Sequence, residues 1–203
     1  VDFTAYCDAH GEEASLALVS RHENIVTPIV NQYGGRFIKT IGDAVMAYFE
    51  QAENAASAGQ DIMKAVEQDN APQPEDQRMR LRAAFHTGPV MMKNNDLFGD
   101  TVNLASRIMG VGQPEQIMIS RAMIDALGDN PKFICRFVGT ADFKGKTGNV
   151  ELYELLSKPL ELKEKSKSKI VSDGVGAAQT AAPQKEKLIG GKYSVLDVMA
   201  SLE

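Results

Sequence analysis

Tryptophan is absent from this chain of 203 residues, cysteine occurs twice and histidine three times. Two cysteines, Cys7 and Cys135, are too few for a disulfide framework and form no close-spaced metal pattern, so they read as reduced thiols of a cytoplasmic protein. His10, His22 and His86 show no metal-ligand spacing either. No apolar run approaches the roughly 20 residues that span a bilayer, and no signal-peptide pattern is present. A basic excess is missing too: the net charge is -5 and the pI about 5.3. That balance argues against nucleic-acid binding and against attraction to anionic membranes, so a phosphate-bearing partner would need locally placed cations. With 43% hydrophobic and 24% charged residues, the chain has the makings of one globular domain and an appendage. Its first residues, Val1-Asp2-Phe3-Thr4, read as the middle of an element, which suggests an N-terminal truncation.

Between Glu12 and Tyr33 the apolar residues Leu16, Val19, Val26, Ile29, Val30 and Tyr33 recur at helical spacing, and Gly34-Gly35 supplies a stop. Pro28 inside that run should bend or interrupt the helix unless its missing N–H is tolerated locally. Alternation then marks Phe37 to Ile41 and Ala44 to Phe49 as strands of a hairpin turning at Gly42-Asp43. A helix rich in small residues follows (Ala52, Ala55, Ala56, Ile62, Met63, Val66) and ends before the proline-containing DNAPQPEDQ. MRLRAAFHTGPVMM reads as a strand, a break at Gly88-Pro89 and a second short strand. After a turn at Asn94-Asn95, GDTVNLASRIMGVG reads as a helix with Asp100 or Thr101 as N-cap. The strand QIMIS, a short helix near Ala122 to Leu127 and strands near Phe133 to Val138 and Val150 to Leu155 complete the compact part. Interleaved helices and hairpins predict an α+β fold, a sheet with helices on one face.

Residues 158–187 are charged and then small, polar and proline-containing, as in a flexible linker. Residues 188–203 turn apolar again. They read either as the first strand of a further domain, with a likeness to the Gly-x-Tyr opening of bacterial Ser/Thr kinase domains, or as a partner-docking helix.

Three polar clusters could carry chemistry. Lys39 precedes the hairpin turn and Asp43 lies in it; Asp96 is followed by Asn103 and Arg107; Lys144-Gly145-Lys146 forms a third group. Asn103 and Arg107, four apart on a helix, lie on one face and are able to touch one ligand. Taken alone, each cluster reads equally as an ordinary polar surface or turn.

The segments VDFTAY, YGGRFIKTIGDAVMAYF, FHTGPV, FGDTVNLASR, QIMIS and FKGK occur in this order, and together they resemble the catalytic domain of class III adenylate and guanylate cyclases over residues 1–157. The resemblance implies a ferredoxin-like α+β core and a head-to-tail homodimer with active sites at the interface. It implies attack of a ribose 3′-oxygen on the α-phosphorus of a nucleoside triphosphate, releasing pyrophosphate and a 3′,5′-cyclic nucleotide. Two Mg²⁺ or Mn²⁺ ions per site accompany that chemistry. Residue by residue, Asp43 becomes a metal ligand, Asn103 orients the ribose, Arg107 stabilises the transition state and Lys144 contacts the terminal phosphates. Phe3 and Thr4, the Phe-Thr pair, fall at the substrate. Lys39 and Asp96 occupy the two base-reading positions, where adenylate cyclases of the family typically carry Lys and Asp and guanylate cyclases Glu and a smaller residue. Adenine offers N1 as acceptor and its amino group as donor, which suits this pair, so ATP is the expected substrate.

This chain departs from the family pattern twice. The Gly88 to Gly99 segment is short, as in compact bacterial branches, and the family's first metal aspartate would precede Val1. The expectation is therefore that this chain is weak or inactive, and that restoring upstream residues raises Mn²⁺-dependent activity by orders of magnitude. The alternatives are a catalytically silent cyclase-like regulatory module, a guanylate cyclase and a diguanylate cyclase. Lys39 and Asp96 together disfavour the second. The third is disfavoured because Gly34-Gly35-Arg36-Phe37 lacks the acidic pair of the diguanylate cyclase signature.

Overall fold

The computed structural model describes residues 3–144, 148–157 and 187–202, with backbone alone for residues 3–7, 9, 76 and 187–202. In chain order the elements are α1 (Phe3–Gln32), β1 (Arg36–Ile41), β2 (Ala44–Phe49), α2 (Ala52–Asn70), β3 (Met79–Lys93), β4 (Asp96–Phe98), α3 (Asp100–Val111), β5 (Ile117–Ser120), α4 (Arg121–Leu127), β6 (Cys135–Ala141), β7 (Val150–Leu155) and β8 (Lys187–Leu202). The strands form one mixed sheet in the order β1-β2-β8-β3-β5-β7-β6, with β4 paired to β3. The β3–β5 pairing is parallel and the others are antiparallel.

Side-chain alternation sorts the core into two layers. Val45, Ala47 and Phe49 of β2, Leu81, Ala83 and Phe85 of β3 and Ile117 and Ile119 of β5 pack with α1, α2 and α4. Their neighbours Met46, Tyr48, Ala84 and Met118 point the other way and pack with α3. Every residue of β2 is buried because helices cover both of its faces. The α+β class is as expected; three helices share one face and α3 covers the other.

The helix α1 differs from its sequence reading in two places. Leu16 is 68% exposed, and the buried stripe runs through Leu18, His22, Val26 and Val30, each four residues from the next. Pro28 does not interrupt the helix, which bends instead at Gly11, where φ is 83°. Both Pro28 and Asn24, whose carbonyl loses its bond to the proline, are exposed, so water can satisfy that oxygen.

The expected break at Gly88-Pro89 is absent. β3 runs through it, and the irregularity is a register shift against β8 between Pro89 and Met91. Asn94 and Asn95 both have positive φ, 52° and 60°, the pair of left-handed residues a type I′ hairpin turn requires. Neither Asp100 nor Thr101 caps α3: the N-cap is Gly99 (φ 130°), and the Thr101 hydroxyl donates to the Pro89 carbonyl at 2.6 Å. That bond fixes the start of α3 against β3.

Of residues 188–203, expected to open a further domain or dock as a helix, those described belong to a strand, Lys187–Leu202. It lies between β2 and β3, with Asp197 opposite Met46 and Ala84. The linker assigned to 158–187 lies outside the described residues save for Lys187.

Candidate active site

The hairpin β1–β2 turns at Gly42-Asp43, and Gly42 takes the positive φ (61°) that suits the first position of a two-residue turn. The strand before the turn is irregular. Phe37 pairs with Ala47 and Lys39 with Met46, so Ile38 is an extra residue, a β-bulge. In an unbroken register Lys39 would stand opposite Val45, whose side chain faces α1 and α2. The bulge moves it opposite Met46, on the α3 side.

There Lys39 meets β4. Its Nζ lies 2.5 Å from Asp96 Oδ2, and the side chains are 41% and 28% exposed. The other Asp96 oxygen, Oδ1, accepts from the Leu97 amide at 2.8 Å. That bond turns the carboxylate toward Lys39 and leaves the pair half open to solvent.

On α3, Asn103 and Arg107 are both exposed, whereas Val102, Leu104, Ala105 and Ile108 are buried beneath them. The Arg107 guanidinium donates through Nη1 to the Lys144 carbonyl at 2.6 Å. This bond ties α3 to the β6–β7 connection and brings the backbone of Lys144, an exposed residue, to Arg107. Two cations, Lys39 and Arg107, thus belong to the α3 side of the sheet in a chain of net charge -5, with the backbone of Lys144 held at Arg107. Lys146 lies outside the described residues. Phe3 and Thr4 begin α1 with backbone only, so their expected side-chain contacts with substrate lie outside what is described.

Asp43 is 8% exposed and lies in the turn between β1 and β2. His22 of α1 is 0% exposed, and its ring interacts with the backbone of Asp43. Neither ring nitrogen makes a hydrogen bond of good geometry, so this contact is long or poorly aligned. Burial pushes the His22 pKa down to about 4, with the Asp43 backbone pulling weakly the other way, and the ring is neutral at pH 7. Next to it, Glu23 accepts from the Thr40 hydroxyl at 2.5 Å. His22 has no metal-ligand spacing to single it out; its signal in the sequence is its place on the stripe, four residues from both Leu18 and Val26.

His86 makes a 2.7 Å bond through Nδ1 to Ser120 Oγ, which also accepts from the Met123 amide to cap α4. This is a structural role. Among the described residues no three His, Cys, Asp or Glu side chains gather as a metal site. Asp43 offers one hard carboxylate. That suits an ion such as Mg²⁺, which commonly takes one or two protein carboxylates and completes its shell with phosphates and water.

The model of the adenylate and guanylate cyclase catalytic domain family matches residues 1–157. The chain belongs to that family. Among curated relatives it is similar to putative adenylate cyclase 3 of Rhizobium meliloti, 35% identical over 103 residues, which is 51% of this chain and 18% of the relative. It is also similar to the pH-sensitive adenylate cyclase of Mycobacterium tuberculosis, 34% identical over 122 residues, or 59% and 29% of the two lengths. The receptor-type guanylate cyclase gcy-23 of Caenorhabditis elegans is 28% identical over 177 residues, 79% of this chain and 16% of that one. This chain thus spans less than a third of the length of each of these relatives. Among solved structures, the adenylate/guanylate cyclase/hydrolase from Silicibacter pomeroyi has a TM-score of 0.63 at 25% identity, covering 68% of this chain and 82% of that one. The catalytic core of a rhodopsin-guanylyl cyclase with converted specificity, in complex with ATPαS, has a TM-score of 0.67 at 23% identity, covering 77% and 90%. No helix among the described residues is long and apolar enough to cross a membrane.

Proposed function

We propose that this cyclase domain converts ATP to 3′,5′-cyclic AMP and pyrophosphate in the cytoplasm, at sites completed between two copies arranged head to tail. The observation that carries the substrate assignment is the Lys39–Asp96 pair, a donor and an acceptor 2.5 Å apart and half open to solvent. Adenine presents an acceptor at N1 beside a donor amino group. The two side chains satisfy each other in the free protein and exchange that bond for the two on the base edge. Guanine presents the reverse pattern and would leave both groups unmatched, which is costly once they are desolvated.

Asn103 and Arg107 project from one face of α3 on the same side of the sheet, where an amide suits the ribose and a guanidinium suits charge developing on phosphate oxygens. The bond to the Lys144 carbonyl restricts the Arg107 fork before substrate arrives, so little reorganisation accompanies reaction. Lys144 adds a point charge for the terminal phosphates. Asp43 would hold a divalent ion, Mg²⁺ or Mn²⁺ and one of two per site. Such an ion acidifies the ribose hydroxyl and neutralises phosphate charge when bound. The hairpin supports the head-to-tail arrangement. Asp43 leans on α1 and Lys39 reaches β4, so they address different surroundings, and the apolar side chains of Ile41 and Phe98 are exposed beside them.

Product analysis by mass spectrometry, with ATP and GTP offered in the presence of Mn²⁺, tests this reading. Cyclic AMP from ATP is the expected result. A preference for cyclic GMP would overturn the role of Lys39 and Asp96, and product from neither would leave a nucleotide-binding or dimerisation module.

A further inference from the structure

The consecutive residues Arg21, His22 and Glu23 reach three parts of the fold from one turn of α1. Arg21 Nε bonds Asp69 of α2 at 2.7 Å and its Nη1 bonds the Gln77 carbonyl at 2.8 Å. Glu23 holds the Thr40 hydroxyl on the near side of the hairpin turn. His22 lies between them, wholly buried, against the backbone of Asp43 on the far side. Its position on the stripe of Leu18, Val26 and Val30 is one where an aliphatic side chain would pack without leaving polar atoms unpaired. The stripe therefore carries a polar group that packing does not require, where α1 meets the turn bearing Asp43.

We infer that His22 is a positioning residue: its ring holds the backbone of the Gly42-Asp43 turn and sets the Asp43 carboxylate for a divalent ion. The inference rests on the reading of Asp43 as a metal ligand. Both ring nitrogens are buried without a well-aligned partner, and the polar group within reach is the backbone of the turn, so a slight approach of the turn toward α1 would supply the bond the ring lacks. Glu23 and Thr40 act as the pivot, because their bond anchors the strand residue three positions before Asp43.

The test compares the wild type with His22→Phe, which fills the stripe and removes both nitrogens, and with His22→Asn, which keeps a donor near the same place. Mn²⁺ binding is followed by electron paramagnetic resonance with a non-cyclisable ATP analogue present, and hydrogen exchange is read at the amides of Gly42, Asp43 and Ala44. His22→Phe should raise the Mn²⁺ half-saturation concentration about tenfold and speed exchange at the turn, with partial recovery in His22→Asn. The ATP-to-GTP preference, set by Lys39 and Asp96, should not change. An unchanged Mn²⁺ midpoint in folded His22→Phe would overturn the inference, as would a wild type that takes up no Mn²⁺. If the wild type makes no cyclic nucleotide yet the midpoint still moves, the activity reading fails and the positioning role stands.

Discussion

Replacing Lys39 separates what the Lys39–Asp96 pair does for folding from what it does for recognition. With side chains 41% and 28% exposed, the ion pair contributes no more than about 1 kcal/mol to stability after solvent screening. In a chain of this size Lys39→Met should therefore lower Tm by about 4 °C at most. Recognition involves a larger quantity. A hydrogen bond from a charged donor to adenine N1 is worth about 1.5–3 kcal/mol. Its loss converts to roughly a 10- to 150-fold fall in kcat/KM for ATP. GTP loses nothing, because its N1–H is a donor that Lys39 never satisfied, so the ATP-to-GTP ratio should fall by the same factor. Charge reversal sharpens the test: Lys39→Asp combined with Asp96→Lys restores an ion pair and hence the Tm, but presents the base with donor and acceptor exchanged and should not restore ATP preference. Steady-state kinetics with both nucleotides, beside differential scanning calorimetry of each variant, measures both quantities. If Lys39→Met leaves the ATP-to-GTP ratio within threefold of wild type while the protein stays folded and dimeric, the pair does not read the base.

Three further outcomes follow from other contacts. Asp43→Ala should abolish metal-dependent turnover, and mixing it with Lys39→Glu should restore some activity through one intact interfacial site; no restoration from two variants that still dimerise would refute the shared site. An added Cβ at Gly88 would lie 2.5 Å from Thr101 Oγ1, the group that anchors α3 to the Pro89 carbonyl, so Gly88→Ala should cost about 1–3 kcal/mol in a urea titration. An unchanged midpoint there would show that the β3–α3 contact yields freely. Burial raises the Cys135 thiol pKa, so at pH values where the unfolded chain already ionises this thiol the folded chain keeps it protonated, and stability from this group is lost as pH rises past the ordinary thiol value. Iodoacetamide should accordingly label the Cys135 peptide more slowly in native than in urea-unfolded protein at pH 8, and equal rates would contradict the assigned burial.

Period and turn chemistry made most of the fold legible. The hairpin at Gly42-Asp43, the helix over Ala52 to Val66, the Asn94-Asn95 turn and the strand QIMIS all lie where alternation, helical spacing and left-handed turn residues put them. The misreadings share a cause: each depends on what lies across from the residue. Gly88-Pro89 looks like a breaker, but β8 pairs with β3 at both residues and carries the strand through. Leu16 looks like core and Leu18 does not, but β2 and α2 pack on the stripe of Leu18, Val26 and Val30, and Leu16 lies off it. Asp100 and Thr101 look like caps, but the Thr101 hydroxyl is drawn to a carbonyl twelve residues earlier.

For the site, the resemblance named the residues and the fold supplies the relation between them. Strict alternation would put Phe37, Lys39 and Ile41 on one face of β1, with Lys39 directed at α1 and away from Asp96. The extra residue Ile38 reverses this: Lys39 crosses to the α3 side and meets Asp96, while Thr40 turns to α1 and is held by Glu23. Bulges re-aim side chains in this way beside functional sites, and nothing in RFIKTIGDAVMAYFE announces one. The same displacement separates the two chemical groups of the hairpin. Lys39 belongs to the surface shared with Asp96 and α3, and Asp43 belongs to the turn whose backbone lies near His22. Four residues of chain hold them too close for independent motion, yet the bulge points them at different neighbours. A site that needs both a base reader and a metal carboxylate is then completed most directly by a second copy presenting its own hairpin.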